Sequence, residues 1–307
     1  MQRILVTGAC GQVGSELIRR LSATYGVENI IGLDLKPLAG HSGPFEIADV
    51  TNENDLKSVI RKYEIDAVYH LVGILSAKGE QNPDLAWNVN VNSLKFILDL
   101  AIRKKLRLFW PSSIAVFGPT TPKKNTPQST ILEPTTMYGV TKVAGELLCQ
   151  YYHAKFGVDV RSVRFPGLIS YKTAPGGGTT DYAVDIFHHA RRKKRYVSFL
   201  KEDTRLPMMY MDDAIDAVLQ LMDADAENLT VRTSYNLAAV SFSVEEIASE
   251  IREHLPEFQL FCDPDFRQDI ADSWPDSIDD GAARRDWQWR HKYDLPKLTQ
   301  IMLDNIQ

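Results

Sequence analysis

Cysteine is scarce in this sequence of 307 residues. The three cysteines, Cys10, Cys149 and Cys262, are odd in number and far apart, so we expect no disulfide framework and a reducing compartment. No apolar run approaches the roughly 20 residues that a membrane helix needs. A strand-like run begins almost at Met1, so we expect no signal or transit peptide and a cytoplasmic protein.

An excess of positive charge is also absent. The chain carries 35 lysines and arginines against 40 aspartates and glutamates, which gives a formal net charge of -5. Proteins that bind nucleic acids usually present clustered positive charge, so this balance disfavours that class of partner. We interpret the basic run at 191–195 as a helix end, where cations complement the helix dipole. Cysteines and histidines are not clustered in a zinc-binding pattern, so no metal is expected.

The first two thirds of the chain alternate strand-like runs with helical patterns. The predicted strands are Ile4–Thr7, Ile30–Asp34, Phe45–Ile47, Ala67–Leu71, Leu106–Trp110 and Val160–Arg164. The predicted helices are Gln12–Tyr25, Asn54–Tyr63, Asp84–Lys104 and Val140–Lys155. This alternation predicts an α/β fold, in which helices cover both faces of a doubly wound parallel sheet.

The pattern changes after about residue 165. A glycine-rich stretch, Pro175 to Thr180, predicts a flexible loop. Further helices are predicted at Asp181–Lys194, Asp212–Met222, Val244–Leu255 and Leu295–Ile306, and short strands at Tyr196–Phe199, Met208–Met211, Ser234–Ala238 and Gln259–Cys262. We expect these elements to form a smaller α/β lobe at the carboxyl edge of the sheet, where ligands bind in such folds. Its boundary is soft, because later strands can return to the main sheet.

A glycine motif follows the first predicted strand and opens the first predicted helix. It reads Gly8-Ala9-Cys10-Gly11-Gln12-Val13-Gly14. Gly8 permits a tight turn, Gly11 lets the backbone approach a pyrophosphate, and Gly14 allows close helix packing. The helix N-terminus offers N–H groups and partial positive charge to phosphates. The motif predicts a dinucleotide site that includes Gly8, Cys10, Gly11, Gln12, Val13 and Gly14.

An acidic residue, Asp34, ends the second predicted strand 20 residues after Gly14. A carboxylate there accepts hydrogen bonds from both adenosine ribose hydroxyls and repels a 2′-phosphate, so it favours NAD over NADP. Leu35 and Lys36 belong to the same predicted site, although the charge of Lys36 weakens the preference. The alternative is that Asp34 merely ends a strand.

Two further turns are candidates to contact the cofactor. Asp49 and Val50 follow the third predicted strand, in reach of the adenine. Leu71 ends the fourth strand, where a turn of small residues can pass under the cofactor. Both assignments follow from the position of ligands beyond the carboxyl ends of parallel strands.

The most informative pattern is Tyr138 followed four positions later by Lys142. Residues with this spacing share a helix face and lie about 5–6 Å apart. Tyrosine has a reference pKa of about 10, and a nearby ammonium with the positive nicotinamide of NAD favours the phenolate. Such a tyrosine takes a proton from an alcohol as hydride leaves carbon. Ser113 follows another strand and can orient the tyrosine; an ordinary turn serine is the alternative.

These motifs together resemble an extended short-chain dehydrogenase/reductase over nearly the whole chain. The resemblance implies a Rossmann domain at residues 1–165 and a substrate lobe at residues 166–307. It implies a catalytic set of Ser113, Tyr138 and Lys142, in which the lysine also binds the nicotinamide ribose. It places Leu168 at the carboxamide and suggests a homodimer formed by two long helices.

Several segments are similar to the short-chain type of L-threonine 3-dehydrogenase, namely Pro166–Ser170, Pro175–Val184, Thr204–Asp213 and Ser273–Pro275. That family oxidises the β-hydroxyl of threonine to 2-amino-3-oxobutyrate. The resemblance implies that substrate is bound by Ser76, Ser113, Tyr138, Thr179, Thr180 and Trp274. The alternative for Trp274 is that it only packs in the core. Asp181 can pair with the ammonium of the substrate or cap the next helix, and we favour the cap.

Two other functions stay open. The first is a nucleotide-sugar epimerase or dehydratase of the same superfamily. Its members usually carry an Arg-Asp pair where this chain has an apolar stretch within Leu206–Asp213, which disfavours a nucleotide-sugar phosphate. The second is a non-catalytic scaffold that senses NAD, although such a scaffold has no need of a tuned tyrosine.

Overall fold

The central sheet of the computed structural model, which describes residues 2–172 and 176–306, consists of parallel strands. They are β1 (Ile4–Thr7), β2 (Ile30–Asp34), β3 (Phe45–Ile47), β4 (Ala67–His70), β5 (Arg107–Ser113), β6 (Val160–Phe165) and β10 (Tyr235–Asn236). Their order across the sheet is β10-β6-β5-β4-β1-β2-β3. From β1 the chain adds strands on one side of the sheet up to β3, and from β4 it adds them on the other side. This change of side leaves a crevice between β1 and β4 at their carboxyl ends. This is a Rossmann-type sheet, so the predicted α/β fold is confirmed.

Helices cover both faces because β-strand side chains alternate in direction. Ile4 and Val6 of β1 join one core, and Leu5 between them joins the other. The helices of this half of the chain are α1 (Gln12–Tyr25), α2 (Glu53–Lys62), α3 (Ser76–Gln81), α4 (Pro83–Trp87), α5 (Ser93–Lys104) and α6 (Met137–Phe156). In the described residues no helix is both long and apolar enough to span a bilayer.

The later part of the chain builds a third core beside the sheet. Its strands are β7 (Gly167–Ile169), β8 (Arg195–Ser198), β9 (Arg205–Tyr210), β11 (Val240–Ser243) and β12 (Gln259–Cys262). The helices of this part of the chain are α7 (Tyr182–Lys193), α8 (Met211–Asp223), α9 (Val244–His254), α10 (Arg267–Asp272), α11 (Gly281–Trp287) and α12 (Leu295–Asn305). Of these, α8 and α11 pack in the core that also contains Ile4 and Val6 of β1. The strands form two small sheets, β11-β9-β7 and β12-β8. β10 crosses the expected boundary and pairs with β6 in the main sheet.

Three elements differ from the sequence prediction in ways that matter for the site. β5 extends to Ser113, so this serine ends a strand instead of following it. The predicted helix Asp84–Lys104 is divided by a π-helical turn, Asn88–Asn92, between α4 and α5. α6 begins at Met137 because Thr136 caps it, with its hydroxyl accepting from the amide of Gly139 at 3.1 Å. Tyr138 therefore lies in the first turn of α6.

Candidate active site

The glycine motif forms a tight turn between β1 and α1. Gly8 has φ +70, a left-handed conformation that disfavours other residues. A Cβ on Gly14 would lie 2.1 Å from the carbonyl oxygen of Gly8, so no larger residue fits there. Among described residues, no side chain caps α1 at Gly11. The turn and the helix N-terminus have the geometry expected of a pyrophosphate cradle.

Asp34 connects the glycine turn to the end of β2. One carboxylate oxygen accepts from the amide of Cys10 at 2.9 Å, and the other accepts from the amide of Leu35 at 2.7 Å. Cys10 Sγ donates to the carbonyl of Lys36 at 3.2 Å. Each carboxylate oxygen has more than one acceptor site, so Asp34 can still accept from ribose hydroxyls. We call Gly8–Gly14 with Asp34 the adenosine end of the site.

The second candidate pair at this end follows β3. Asp49 Oδ1 accepts from the amide and hydroxyl of Thr51, at 2.9 and 2.8 Å. Val50 is buried. The side chain of Asp49 is therefore engaged in its own turn, although its position beyond β3 is the predicted one.

A cleft of about 190 Å³ lies beyond the carboxyl ends of the central strands. Most of the predicted residues at the nicotinamide and substrate positions line it: Gln12, Val13, Leu71, Ser76, Ser113, Tyr138, Lys142, Leu168, Thr179, Thr180 and Trp274. Gly8, Cys10, Gly11, Gly14, Asp34, Leu35, Lys36, Asp49 and Val50 do not line this cleft. A larger cavity of about 630 Å³ between Lys123, Lys201 and Asp276 contains none of the predicted residues, so volume does not identify the site.

Ser113, Tyr138 and Lys142 meet at this cleft, and we call them the reacting end. Lys142 Nζ lies 5.5 Å from the centroid of the Tyr138 ring, as their shared helix face predicts. Burial raises the pKa of Tyr138 to about 12, and a hydrogen bond with Ser113 opposes that rise. In the protein alone the pKa of Tyr138 is therefore determined by burial and by Ser113, and the expected lowering by Lys142 is not observed.

Lys142 is itself strongly affected by burial. Its pKa falls to about 7 through burial, while Cys149 and then Glu146 act in the opposite direction. Its ammonium donates to the carbonyl of Pro111 at 2.7 Å and lies 4.5 Å from the ring centroid of Trp110. The carbonyl and the aromatic face both favour the charged form of the lysine.

A buried ion pair supports the strand end that carries Ser113. Glu146 accepts from Ser112 Oγ at 2.6 Å and from Arg164 Nε and Nη2 at 2.8 and 2.7 Å. Arg164 also donates to Asn236 Oδ1 at 3.0 Å, so β5, β6, β10 and α6 share one network. Sequence reasoning missed this network. Glu146 lies one turn beyond Lys142 on α6, which is the signal that would have found it.

Two more buried polar residues hold the turn after β4. His70 is flanked by Thr7 Oγ1 at 2.7 Å and Ser93 Oγ at 2.8 Å, and burial lowers its pKa to about 3. Asn90 accepts from the amide of Ile74 at 2.7 Å and donates to Thr141 Oγ1 at 2.9 Å. His70, at the end of β4, is thus buried and neutral.

The substrate side of the cleft is formed by the turn Thr179–Asp181 and by Trp274. Thr179 is only 2% exposed, and its hydroxyl has no partner among the described residues. Asp181 precedes α7, but its carboxylate accepts from the amides of Gly177 and Gly178 at 2.7 and 2.8 Å. The favoured prediction that its side chain caps α7 is therefore wrong, because the carboxylate binds the preceding loop. Pro175 of the predicted loop lies outside the described residues.

Ser76 and Trp274 complete the wall. Ser76 begins α3 and is buried. Trp274 packs in the third core and also lines the cleft, so both interpretations of this residue hold at once. The carbonyl of Trp274 accepts from Lys123 Nζ at 2.8 Å. In residues 2–172 and 176–306 no three histidine, cysteine or acidic side chains are grouped to hold a metal ion.

Comparison with known proteins finds relatives that match the whole length of the chain. A model of the NAD dependent epimerase/dehydratase family matches residues 4–238. An uncharacterized epimerase/dehydratase of Staphylococcus haemolyticus is 51% identical, over 100% of this chain and 98% of the relative. Its description names no substrate.

Two solved structures have nearly the same fold. The GalE-like L-threonine dehydrogenase of Cupriavidus necator in its holo form is 53% identical, with a TM-score of 0.97 over 99% of both chains. A monomeric L-threonine 3-dehydrogenase from a metagenome, in its apo form, is 49% identical, with a TM-score of 0.96 over 98% of both chains. The likeness covers both the sheet and the lobe that together enclose the cleft.

Proposed function

We propose that this chain, which belongs to the NAD dependent epimerase/dehydratase family, oxidises the β-hydroxyl of L-threonine to 2-amino-3-oxobutyrate. The observation that carries the proposal is the meeting of Ser113, Tyr138 and Lys142 with Thr179 at one cleft. At about 190 Å³ the cleft is smaller than the roughly 300–1,000 Å³ of drug-sized ligand sites, which favours a small substrate. The two solved relatives act on threonine according to their descriptions, which favours that amino acid.

NAD is the cofactor of this family, which confirms the cofactor predicted from the sequence. The residues present fit it. Gly8 and Gly14 leave no room for a Cβ, which keeps the turn and the start of α1 tightly packed, while Asp34 provides acceptors at the end of β2. When bound, NAD supplies the acceptor for the hydride. Lys142 is the residue that would hold its nicotinamide ribose.

The removal of the hydroxyl proton is then carried out by residues of the chain itself. Ser113 orients the substrate hydroxyl, and Tyr138 Oη takes its proton as the β-hydrogen leaves. Since burial holds the pKa of Tyr138 near 12, its phenolate is scarce at neutral pH without additional positive charge. The charge of Lys142 in the cleft is therefore required, because it stabilises the phenolate.

The polar ends of threonine match the lobe side of the cleft. The hydroxyl of Thr179, which no described residue binds, suits the carboxylate together with Thr180 and the loop amides. Ser76 offers a further hydroxyl, and Trp274 closes the apolar side. The apolar stretch that replaces the expected charged pair is core, since Leu206, Met208 and Met209 are fully buried. A nucleotide-sugar phosphate would find no cation from that stretch.

The test is production of NADH by the purified chain with NAD and L-threonine, L-serine or a UDP-sugar, followed by near-ultraviolet absorbance. We expect steady accumulation of NADH with threonine. An epimerase regenerates its NAD in each cycle and would show turnover of the sugar without net NADH. A scaffold would bind NAD and turn over none of the three. Either of the last two results would overturn the proposal.

We also propose a homodimer, as expected from the sequence. Val140, Leu147 and Tyr151 leave an apolar stripe along α6 that is 41% to 57% exposed, beside Trp87 at 41%. Stripes of this kind on paired helices usually mark an interface. Light scattering of the parent and of Leu147→Glu tests this: we expect a dimeric parent and a monomeric variant, and a monomeric parent would contradict the proposal.

The cytoplasmic location stays a prediction.

A further inference from the structure

The surroundings of the Lys142 ammonium raise a question that the proposed proton transfer does not answer. The lysine is 4% exposed, and burial of an unpaired ammonium is costly. Its hydrogen-bonded partner is the backbone carbonyl of Pro111, which is neutral. Some other feature must help to keep the lysine charged.

The groups around Lys142 that favour its charged form, Cys149 and Glu146, supply only part of that compensation, since burial still lowers the pKa of the lysine. On α6, the carboxylate of Glu146 is held by two nitrogens of Arg164 from β6, so its charge is shared with that guanidinium. Burial raises the pKa of Cys149, on the same helix, well above its usual range, so its thiol is neutral. Tyr138 is neutral for the same reason. On β4, His70 is uncharged at neutral pH.

The remaining neighbour is the indole of Trp110, on β5 next to Pro111. Trp110 is 1% exposed and lies with its ring centroid 4.5 Å from Lys142 Nζ. An ammonium within about 6 Å of an indole face is attracted by the ring quadrupole, and the attraction is greatest where water is excluded.

A glycine in α6 creates this contact. A Cβ on Gly145 would lie 2.2 Å from Cη2 of Trp110, so only glycine lets the helix pack directly on the indole edge. Gly145 is three residues after Lys142, on nearly the same face of the helix. The close approach of the helix thus places the lysine over the ring.

We propose that Trp110 is a positioning residue that keeps Lys142 protonated and directed into the cleft. Its importance for turnover rests on the proposed function, whereas its effect on the ionisation of Lys142 does not. Trp110 contacts neither the predicted substrate position nor the cofactor position, since it is absent from the cleft wall.

The direct experiment measures the titration of Lys142 in the cofactor-free protein. Lysines labelled with carbon-13 at Cε are followed by NMR against pH, and the Lys142 signal is assigned by its loss in Lys142→Met. In Trp110→Leu we expect the midpoint to fall by about one pH unit, a tenfold change in the proton affinity of the amine. In Trp110→Phe, which keeps a weaker aromatic face, we expect a smaller fall.

The matched control is Trp289→Phe, a fully buried tryptophan in the core on the other face of the sheet, which should leave the midpoint unchanged. If Trp110→Leu fails to fold, Trp110→Phe decides the question. An unchanged or raised midpoint in a folded Trp110 variant would overturn the proposal, since a raised one would show that burial by the ring dominates.

A second readout separates this proposal from the proposed function. If the chain oxidises threonine, the alkaline fall of its pH–rate profile should move to lower pH in Trp110→Leu by the same amount as the NMR midpoint. If the parent makes no NADH with any substrate, the function fails while the NMR titration still judges Trp110. A rate loss with no change in either pH midpoint would show a merely structural role and would reject the proposal.

Discussion

The adenosine end of the site comes from a short, nearly continuous stretch of chain, whereas the reacting end is assembled from β5 and α6 and supported by β4, β6 and β10. At the adenosine end the chemistry is carried by backbone turns and by one carboxylate, Asp34, at the surface of the turn. At the reacting end Lys142 is buried and Ser113 and Tyr138 are partly buried, and the pKa values of Tyr138 and Lys142 are both strongly shifted.

This contrast teaches where the molecule is sensitive. A backbone cradle tolerates the loss of one side chain, because several amides share the ligand. A buried reacting group depends on each neighbour, because little water is present to replace a lost partner. We therefore expect substitutions at the reacting end and its supports to have larger effects than those at the adenosine end.

The largest effect should follow Tyr138→Phe. Loss of the proton acceptor should lower turnover with threonine by about 10²- to 10⁴-fold, while NAD affinity stays nearly unchanged. Stopped assays of NADH and fluorescence titration with NAD measure the two quantities. Tyr25→Phe, which removes a hydroxyl bound to Asp223 at the far end of α1, serves as the control. Retained turnover in Tyr138→Phe would reject the mechanism.

Loss of the buried ion pair that supports the reacting end should lower the stability of the fold. Glu146→Leu leaves Arg164 buried without its partner, which should lower the free energy of unfolding by about 3–5 kcal/mol. Urea unfolding followed by circular dichroism measures it. The control is Glu53→Leu, which breaks an exposed pair with Lys57 and should cost less than about 1 kcal/mol. Equal losses in the two variants would contradict the expectation that the buried support of the reacting end is the more sensitive.

The low pKa of His70 in the folded protein predicts that the free energy of unfolding depends on pH. Its pKa is about 3 in the folded protein and about 6.5 when unfolded, so the unfolded chain binds the extra proton first as pH falls. Its contribution is present above about pH 6.5 and is lost towards pH 3, by up to about 1.4 kcal/mol for each pH unit. His70→Asn should flatten this part of the stability curve. A slope identical to that of the parent would show that His70 titrates normally.

The smallest effect is expected at the adenosine end. Asp34→Ala removes acceptors for the ribose hydroxyls and should raise the KM for NAD about tenfold, while the KM for NADP falls or stays level. Asp49→Ala should change less, because Asp49 is expected to contact only the adenine, whereas Asp34 is expected to contact both ribose hydroxyls. Cofactor titrations at saturating threonine measure both. An Asp49 effect larger than that of Asp34 would reverse the assignment of the adenosine contacts.

The same contrast explains how far the sequence alone could predict the site. The glycine turn, Asp34 and the Tyr138–Lys142 pair are local patterns, in which spacing along one strand or helix determines what is neighbouring. Trp110 and Arg164 reach the site only through the order and register of β5 and β6, which no local pattern specifies. The side chain of Asp181 was predicted wrongly because a carboxylate before a helix can bind amides on either side, and the glycine loop competes for it.

The π-helical turn at 88–92 has a consequence for changes in chain length. It holds one residue more than an α-helical turn, and each residue rotates an α-helix by about 100°. Deleting a single residue there would restore an ordinary α-helical turn that keeps Leu94, Leu98 and Ala101 towards the core, but it would remove the widened turn that carries Asn90. Asn90 would lose its reach to Ile74 and Thr141. Anyone who shortens, extends or recombines this protein should therefore place the junction elsewhere.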